Sequence, residues 1–185
     1  MKSSIILEVL EAKAVIEELE KTGNQLAADV CRLMAICVLR VGDAVSLRYS
    51  DIQRGVLSIR EQKTGKLKEI ELPSSAMTVI QRRRAMHPKD VFIFTAHGNR
   101  ASGNKAVSRE YISRAISKAA KAVGIKGTVS SHSFRKYGVA SVYKATGNDL
   151  AQTAALLNHS NFDVTRRYLR LDAATAGEAV GKIEI

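Results

Sequence analysis

The chain has 185 residues, 45% of them apolar, which is enough for one sizeable domain with its own core. Its 29 lysines and arginines outnumber 18 acidic residues, and the formal net charge of +11 attracts polyanions, although charge alone leaves room for a basic enzyme without one. No apolar run reaches the roughly 18 residues of a membrane span, and MKSSIILEVLEAK meets Glu8 and Glu11 too early for a signal peptide.

Residues 4–21 carry an amphipathic helical pattern, with Ile5, Ile6, Val9 and Leu10 ahead of charged positions that end at Gly23. Asn24 can cap a second helix, whose apolar positions Leu26, Val30, Leu33, Met34 and Cys37 follow helical spacing. Cys31 and Cys37 read there as buried small hydrophobes rather than a disulfide or metal pair, which fits a reducing cytoplasm. A break at Leu39–Gly42 precedes a short third helix with Val45 and Leu47 inward. The period then changes to alternation. GVLSIREQ (55–62) and KLKEIELP (66–73) form a β-hairpin around KTG, with Gly65 supplying the positive φ and Leu57/Ile59 and Ile70/Leu72 on the inner faces.

A helix is expected over Ser74–Met86 and a short buried strand over Val91–Phe94. A polar Gly-rich loop, GNRASGNKAVS, leads to Ser108, which caps a helix through Ala122 that stops at Gly124. Another helix covers about 132–146 and closes at Gly147. Asp149 caps the next, ending near His159, and Asp163 caps a last helix carrying Tyr168. The tail Lys182–Ile185 reads as a stray strand. The fold class is α+β: mostly helical with a small antiparallel β-sheet. The four histidines show no close His/Cys/carboxylate grouping, so no metal and no other cofactor is expected.

Four places hold polar groups that a core-and-surface pattern does not require. Arg40 sits among apolar residues at a helix break, with Asp43 three residues on to orient its guanidinium; a structural Arg–Asp pair explains this equally well. Lys63 lies at the hairpin tip, where lysines are commonly just solvated, and Lys66 and Lys68 compete with it for any role. His132 and Arg135 in SHSFRKYG share one face at a helix N-terminus, an end that attracts anions, or they are a cap and a surface arginine. Tyr168 falls on the buried stripe of its helix, as an ordinary core tyrosine would, behind Arg166 and Arg167.

Taken together these residues supply phosphodiester transfer without a metal. Arg40 and Arg135 can grip non-bridging oxygens in fork geometry. His132 and His159 can donate hydrogen bonds or shuttle protons, Lys63 can protonate the leaving 5′-oxygen, and Tyr168 can attack phosphorus.

The order Arg, Lys, His-x-x-Arg, His, Tyr resembles the tyrosine recombinase (phage integrase) family. LRVGDAVSLRYSDI resembles its first arginine box, with Asp43 at the usual acidic position; QKTGK resembles the lysine hairpin, giving Lys63. SHSFRKYGVAS resembles the His-x-x-Arg box, and LLNHSNFDVTRRYLR the Leu-Leu-Gly-His-Ser box followed by Arg-Tyr, with Asn158 where glycine is common. The match runs over 24–172, leaving 1–23 as an N-terminal helical segment or linker and 173–185 as a tail with a short strand. About 23 residues precede the match, which is too few for the family's N-terminal core-binding domain and points to an isolated catalytic domain or a single-domain recombinase.

The resemblance implies the integrase catalytic-core fold. It also implies a site-specific recombinase that cuts one strand at a time through a 3′-phosphotyrosyl bond, without metal or ATP. The implied partners are double-stranded DNA carrying a specific site and a homotetramer, with the tail docking on a neighbouring subunit; no membrane is involved. Two other readings stay open: a catalytically idle DNA-binding accessory protein of the same fold, and a topoisomerase IB-like nicking–closing enzyme. Candidate DNA contacts are Arg100, Lys105, Arg109, Arg114 and Lys136, with Arg82, Arg83 and Arg84 as further phosphate contacts.

Overall fold

The computed structural model describes residues 4–97, 105–157 and 162–169. They fall into two compact units that divide within one helix, between Gly138 and Val139.

The first unit is built around α2 (Gln25–Ile36), which packs against α1 (Val9–Lys21), α3 (Val41–Val45), α4 (Ser74–Met86) and α5 (Arg109–Ala122). That centrality follows from composition. Ala27, Ala28, Val30, Cys31, Leu33 and Met34 are all buried, so three small residues let neighbouring helices approach. The Asn24 side chain accepts from Ala27 N at 3.2 Å, capping the helix as expected. α1 starts later than the pattern suggests. Ile5 N donates to Thr128 O at 3.0 Å, so residues 4–7 run extended, and Glu8 N donates to the Glu11 carboxylate at 2.8 Å where the helix begins.

The sheet has order β1-β2-β3, all antiparallel, from β1 (Ile52–Gln53), β2 (Val56–Arg60) and β3 (Leu67–Glu71). β1 is too short to leave a periodic signal. Leu57 faces Ile70 as expected, but Ile59 faces Lys68, which places a lysine on the inner side of the hairpin. Gly65 takes φ +68 in the turn and donates to Glu61 O at 2.8 Å. The expected strand at Val91–Phe94 is instead a turn with isolated bridges, Arg48 to Phe92 and Thr95 to Ala106. Ile93 and Phe94 are buried side by side while Val91 is exposed, a pattern that strand alternation cannot satisfy. Ser108 caps α5 by accepting from Tyr111 N at 3.1 Å.

α6 (Ser131–Ala145) carries the division between the units. In the second unit Asp149 caps α7 (Leu150–Leu156) by accepting from Gln152 N at 2.9 Å, and α8 (Phe162–Leu169) packs on α7. Asp163 lies inside the first turn of α8 rather than at its cap, 4.0 Å from Arg166. The expected tail strand at 182–185 lies outside the described residues. Among the described residues no helix is long and apolar enough to cross a membrane.

Gly138 sets how closely α6 approaches α2. A Cβ built there falls 2.4 Å from the Ala35 carbonyl oxygen, which belongs to a rigid helix backbone and cannot swing away. Gly138→Ala should therefore lower the urea-unfolding free energy by about 1–3 kcal/mol, the scale of an overpacked core, although alanine is the better helix former. An unchanged or raised midpoint would show that the close approach is not needed.

Candidate active site

The site begins at the turn that ends α2. Cys37 caps the helix, and Val38 takes φ +49, a conformation that β-branched residues rarely adopt. Leu39, 1% exposed, anchors the next position in the core, and Arg40 follows as the residue before α3. The turn leaves two helix-end carbonyls pointing at cations. Lys68 Nζ donates to Cys37 O at 3.0 Å and to Val38 O at 3.2 Å, and Arg135 Nη1 also donates to Val38 O. Burial, then the charges of Arg135 and Arg40, push the Lys68 ammonium down to about 8, against the upward pull of Glu61.

Arg40 forms an ion pair with Glu61, at 2.7 Å, on the hairpin that carries Lys63. Glu61 also accepts from Thr64 Oγ1 at 2.7 Å. Burial pushes Glu61 upward, but the Thr64 and Arg40 hydrogen bonds and the charges of Arg40 and Arg135 outweigh it and hold the carboxyl below its ordinary value. Asp43, expected to orient Arg40, has a different recorded partner: its Oδ1 accepts from Gln62 N at 2.9 Å. Gln62 Nε2 then donates to Gly42 O at 3.3 Å and Ser46 Oγ at 3.0 Å. Asp43 thus fastens the hairpin base to α3, and Lys63, exposed, stands next to two anchored residues.

His132 and Arg135 sit in the first turns of α6. Arg135 is 1% exposed, the bulkiest of the fully buried side chains. His132 keeps solvent access, and Lys136, Arg135, Arg40 and Lys63 all act on its charge. Partial burial first, and then those four cations, hold His132 below the ordinary histidine range. Arg40, Lys63, Lys68, His132 and Arg135 therefore form one basic neighbourhood in the first unit. Glu61 and the left-handed Val38 are the members that sequence reasoning missed, while Lys68 entered it only as a competitor of Lys63. The one legible signal for Lys68 was its place in the alternation of β3, where it falls on the Ile70/Leu72 face.

Other candidates fare differently. Lys136 is buried and donates to Ser4 O, so it ties the N-terminal segment down instead of facing outward. Arg82 pairs with the fully buried Asp29, Arg83 is buried with Nε 3.4 Å from Ile93 O, and Arg84 stacks 3.8 Å over the Tyr49 ring. Lys136 and Arg83 are thus buried in the fold, while Arg82 and Arg84 keep solvent exposure alongside these contacts. Arg109, Arg114 and Lys105 are exposed, with Arg109 2.8 Å from Glu110. Arg100 and His159 lie outside the described residues. Tyr168 is half-buried on α8 in the second unit. Contrary to the expectation of scattered histidines, His87, Asp90 and His97 come together at the end of α4.

The depressed His132 is directly measurable. An NMR titration of its Cε1 proton should give a pKa below the ordinary histidine value of about 6.5. Adding a phosphodiester should raise that pKa by offsetting the four cations. A value at or above 6.5 in the absence of anion would contradict the basic neighbourhood.

A sequence model of the phage integrase family matches residues 6–175. The chain is 29% identical over 142 residues to the probable integrase/recombinase YoeC of Bacillus subtilis, covering 76% of this chain and 75% of YoeC. It is 27% identical over 180 residues to tyrosine recombinase XerA of Pyrococcus furiosus, covering 91% of this chain and 60% of XerA. Its fold is similar to a lambda integrase solved as a tetramer bound to a Holliday junction, with TM-score 0.75 at 19% identity over 91% of this chain and 48% of that one. The family's sequence pattern runs through both units, from the start of the first to the end of α8 and beyond, and on that ground the chain belongs to the phage integrase family.

Proposed function

We propose that this chain is the catalytic domain of a tyrosine-type site-specific recombinase that cleaves and rejoins DNA through a 3′-phosphotyrosyl intermediate. The observation that carries the reading is the basic neighbourhood itself. Two arginines far apart in sequence are held beside a hairpin lysine and a histidine whose pKa is lowered by burial and neighbouring cations. Such a set suits a phosphorus that gains negative charge during in-line attack.

In this mechanism Arg40 and Arg135 bind the non-bridging oxygens of the scissile phosphate. The Tyr168 phenol oxygen attacks phosphorus, and its proton passes to a neighbouring base, for which His132 and His159 are the candidates. The P–O5′ bond breaks, and Lys63 gives its proton to the departing 5′-oxygen. The reverse steps, with the 5′-hydroxyl of a partner strand, form the exchanged duplex. Bond energy stays in the phosphotyrosine, so the balance calls for neither ATP nor metal. The proposed partners are double-stranded DNA with a specific site and three further copies of the chain; the lambda integrase neighbour was solved as such a tetramer on a junction. Residues 24–172 constitute the catalytic domain and the C-terminal tail couples neighbouring subunits. Exposed Arg109 and Arg114 on α5, with Lys105, are the described residues assigned to DNA contact.

A DNA substrate nicked beside its cleavage site should trap a covalent protein–DNA adduct. Tyr168→Phe should abolish the adduct while leaving DNA binding intact, and an adduct from that variant would remove Tyr168 as nucleophile. Arg40→Ala should slow cleavage by about 10²-fold or more, the scale of losing one oxyanion donor; a loss below about tenfold would make Arg40 structural. DNA affinity should fall with salt at a log–log slope of about −0.9 per neutralised phosphate, and a flat response would contradict phosphate-dominated binding.

A further inference from the structure

Away from the basic neighbourhood, two histidines and an aspartate meet at the end of α4. His87 follows the last residue of the helix, Asp90 lies in the turn after Pro88, and His97 comes from the segment beyond Ile93 and Phe94. One donor atom from each lies within 4.8 Å of the others. His97 Nε2 is 2.8 Å from Asp90 Oδ2, and the two imidazoles stack with centroids 4.0 Å apart and planes 25° from parallel. Tetrahedral ligands at the ~2.0–2.1 Å bond lengths of zinc stand about 3.4 Å apart, so binding requires the two stacked rings to splay and turn their nitrogens toward one point.

We infer that His87, Asp90 and His97 form a binding site for a zinc-class divalent ion, with water completing a four-coordinate shell. The chemistry of the donors selects the ion: two imidazoles and one carboxylate suit zinc and its neighbours rather than calcium or magnesium. The turn between the ligands is already built. Asp90 N donates to His87 O at 3.2 Å, and Arg84 Nη1 donates to the carbonyls of Pro88 and Asp90 at 2.9 and 3.0 Å. The cations nearest in sequence are Arg83, Arg84 and Lys89, of which Lys89 is exposed to solvent. Arg84 is spent on those carbonyls and the Tyr49 ring, and Arg83 is buried beside Ile93 O, so neither guanidinium fills the site. His97, with a side chain 40% exposed, provides the entry path. A bound ion would cross-link the end of α4 to the Ile93–His97 segment, and none of its ligands takes part in the proposed strand transfer.

Isothermal titration of the untagged full chain with zinc chloride should show one saturable site per chain. Zinc should also raise the thermal midpoint, because it binds only the folded turn. His97→Ala and Asp90→Asn should each weaken zinc binding by at least the roughly 10–100-fold that follows loss of even a supporting group. His97 is exposed, the Asp90 side chain is only 10% exposed and asparagine keeps its shape, and a metal-free midpoint close to that of the parent chain shows that both variants fold. Cobalt(II) should give the intense visible absorption of a four-coordinate site in the parent chain and lose it in His97→Ala. Failure of the parent chain to bind zinc, or variants that bind zinc as tightly as the parent chain, would overturn the site. The Tyr168 adduct is read separately in chelator, so its presence or absence leaves this result unaffected.

Discussion

Two backbone carbonyls, those of Cys37 and Val38, hold the candidate site together. They end α2, so they lack the helical partners that earlier carbonyls have, and the left-handed Val38 turns them toward two cations from distant parts of the chain. Lys68 arrives from the hairpin and Arg135 from α6, separated from Val38 by 30 and 97 residues. The last turn of α2 is closed by Leu39 N donating to Met34 O at 3.1 Å, the two carbonyls beyond it are satisfied by charge, and the same bonds tie the sheet and α6 to one point. Gly138 completes the arrangement, because without a Cβ it lets α6 approach close enough for Arg135 to reach the turn.

The cost of this design is concentrated positive charge in a partly dry place. Glu61 is the carboxylate facing it, and it is shared by Arg40 and Thr64. The remaining imbalance appears as a lysine and a histidine that both release protons early. For Lys68 the consequence has a definite sign. The folded chain binds that proton with a pKa of about 8 and the unfolded chain near 10.5, so between those values the unfolded state holds more protons. The contribution of this group to stability rises with pH across that window and is unfavourable below it. An anion bound among these cations would supply the missing negative charge.

Much of this was legible in the residues. Caps at Asn24, Ser108 and Asp149 are side-chain chemistry written locally, and each forms as read. The hairpin alternation and the change of period around it placed the sheet and fold class correctly. What escaped reading depends on contacts between distant segments. Nothing near Asp43 says that it will hold Gln62 N while Glu61 pairs with Arg40. Lys136 and Arg83 look like surface charge until the fold buries them against Ser4 and Ile93, and nothing local shows that the exposed Arg82 and Arg84 will meet Asp29 and Tyr49. His87, Asp90 and His97 meet only because the segment after Asp90 doubles back through Ile93 and Phe94.

The central claim is that Arg40, Arg135 and His132 serve one phosphate. The most direct measurement is an NMR titration with a dinucleotide carrying a single phosphodiester, following the Nε–Hε signals of both arginines and the ring of His132. The account predicts that all three move together along one saturation curve with a shared dissociation constant. Signals that stay still, or that saturate at different concentrations, would mean that these side chains answer to separate surroundings, and the phosphate site would be lost.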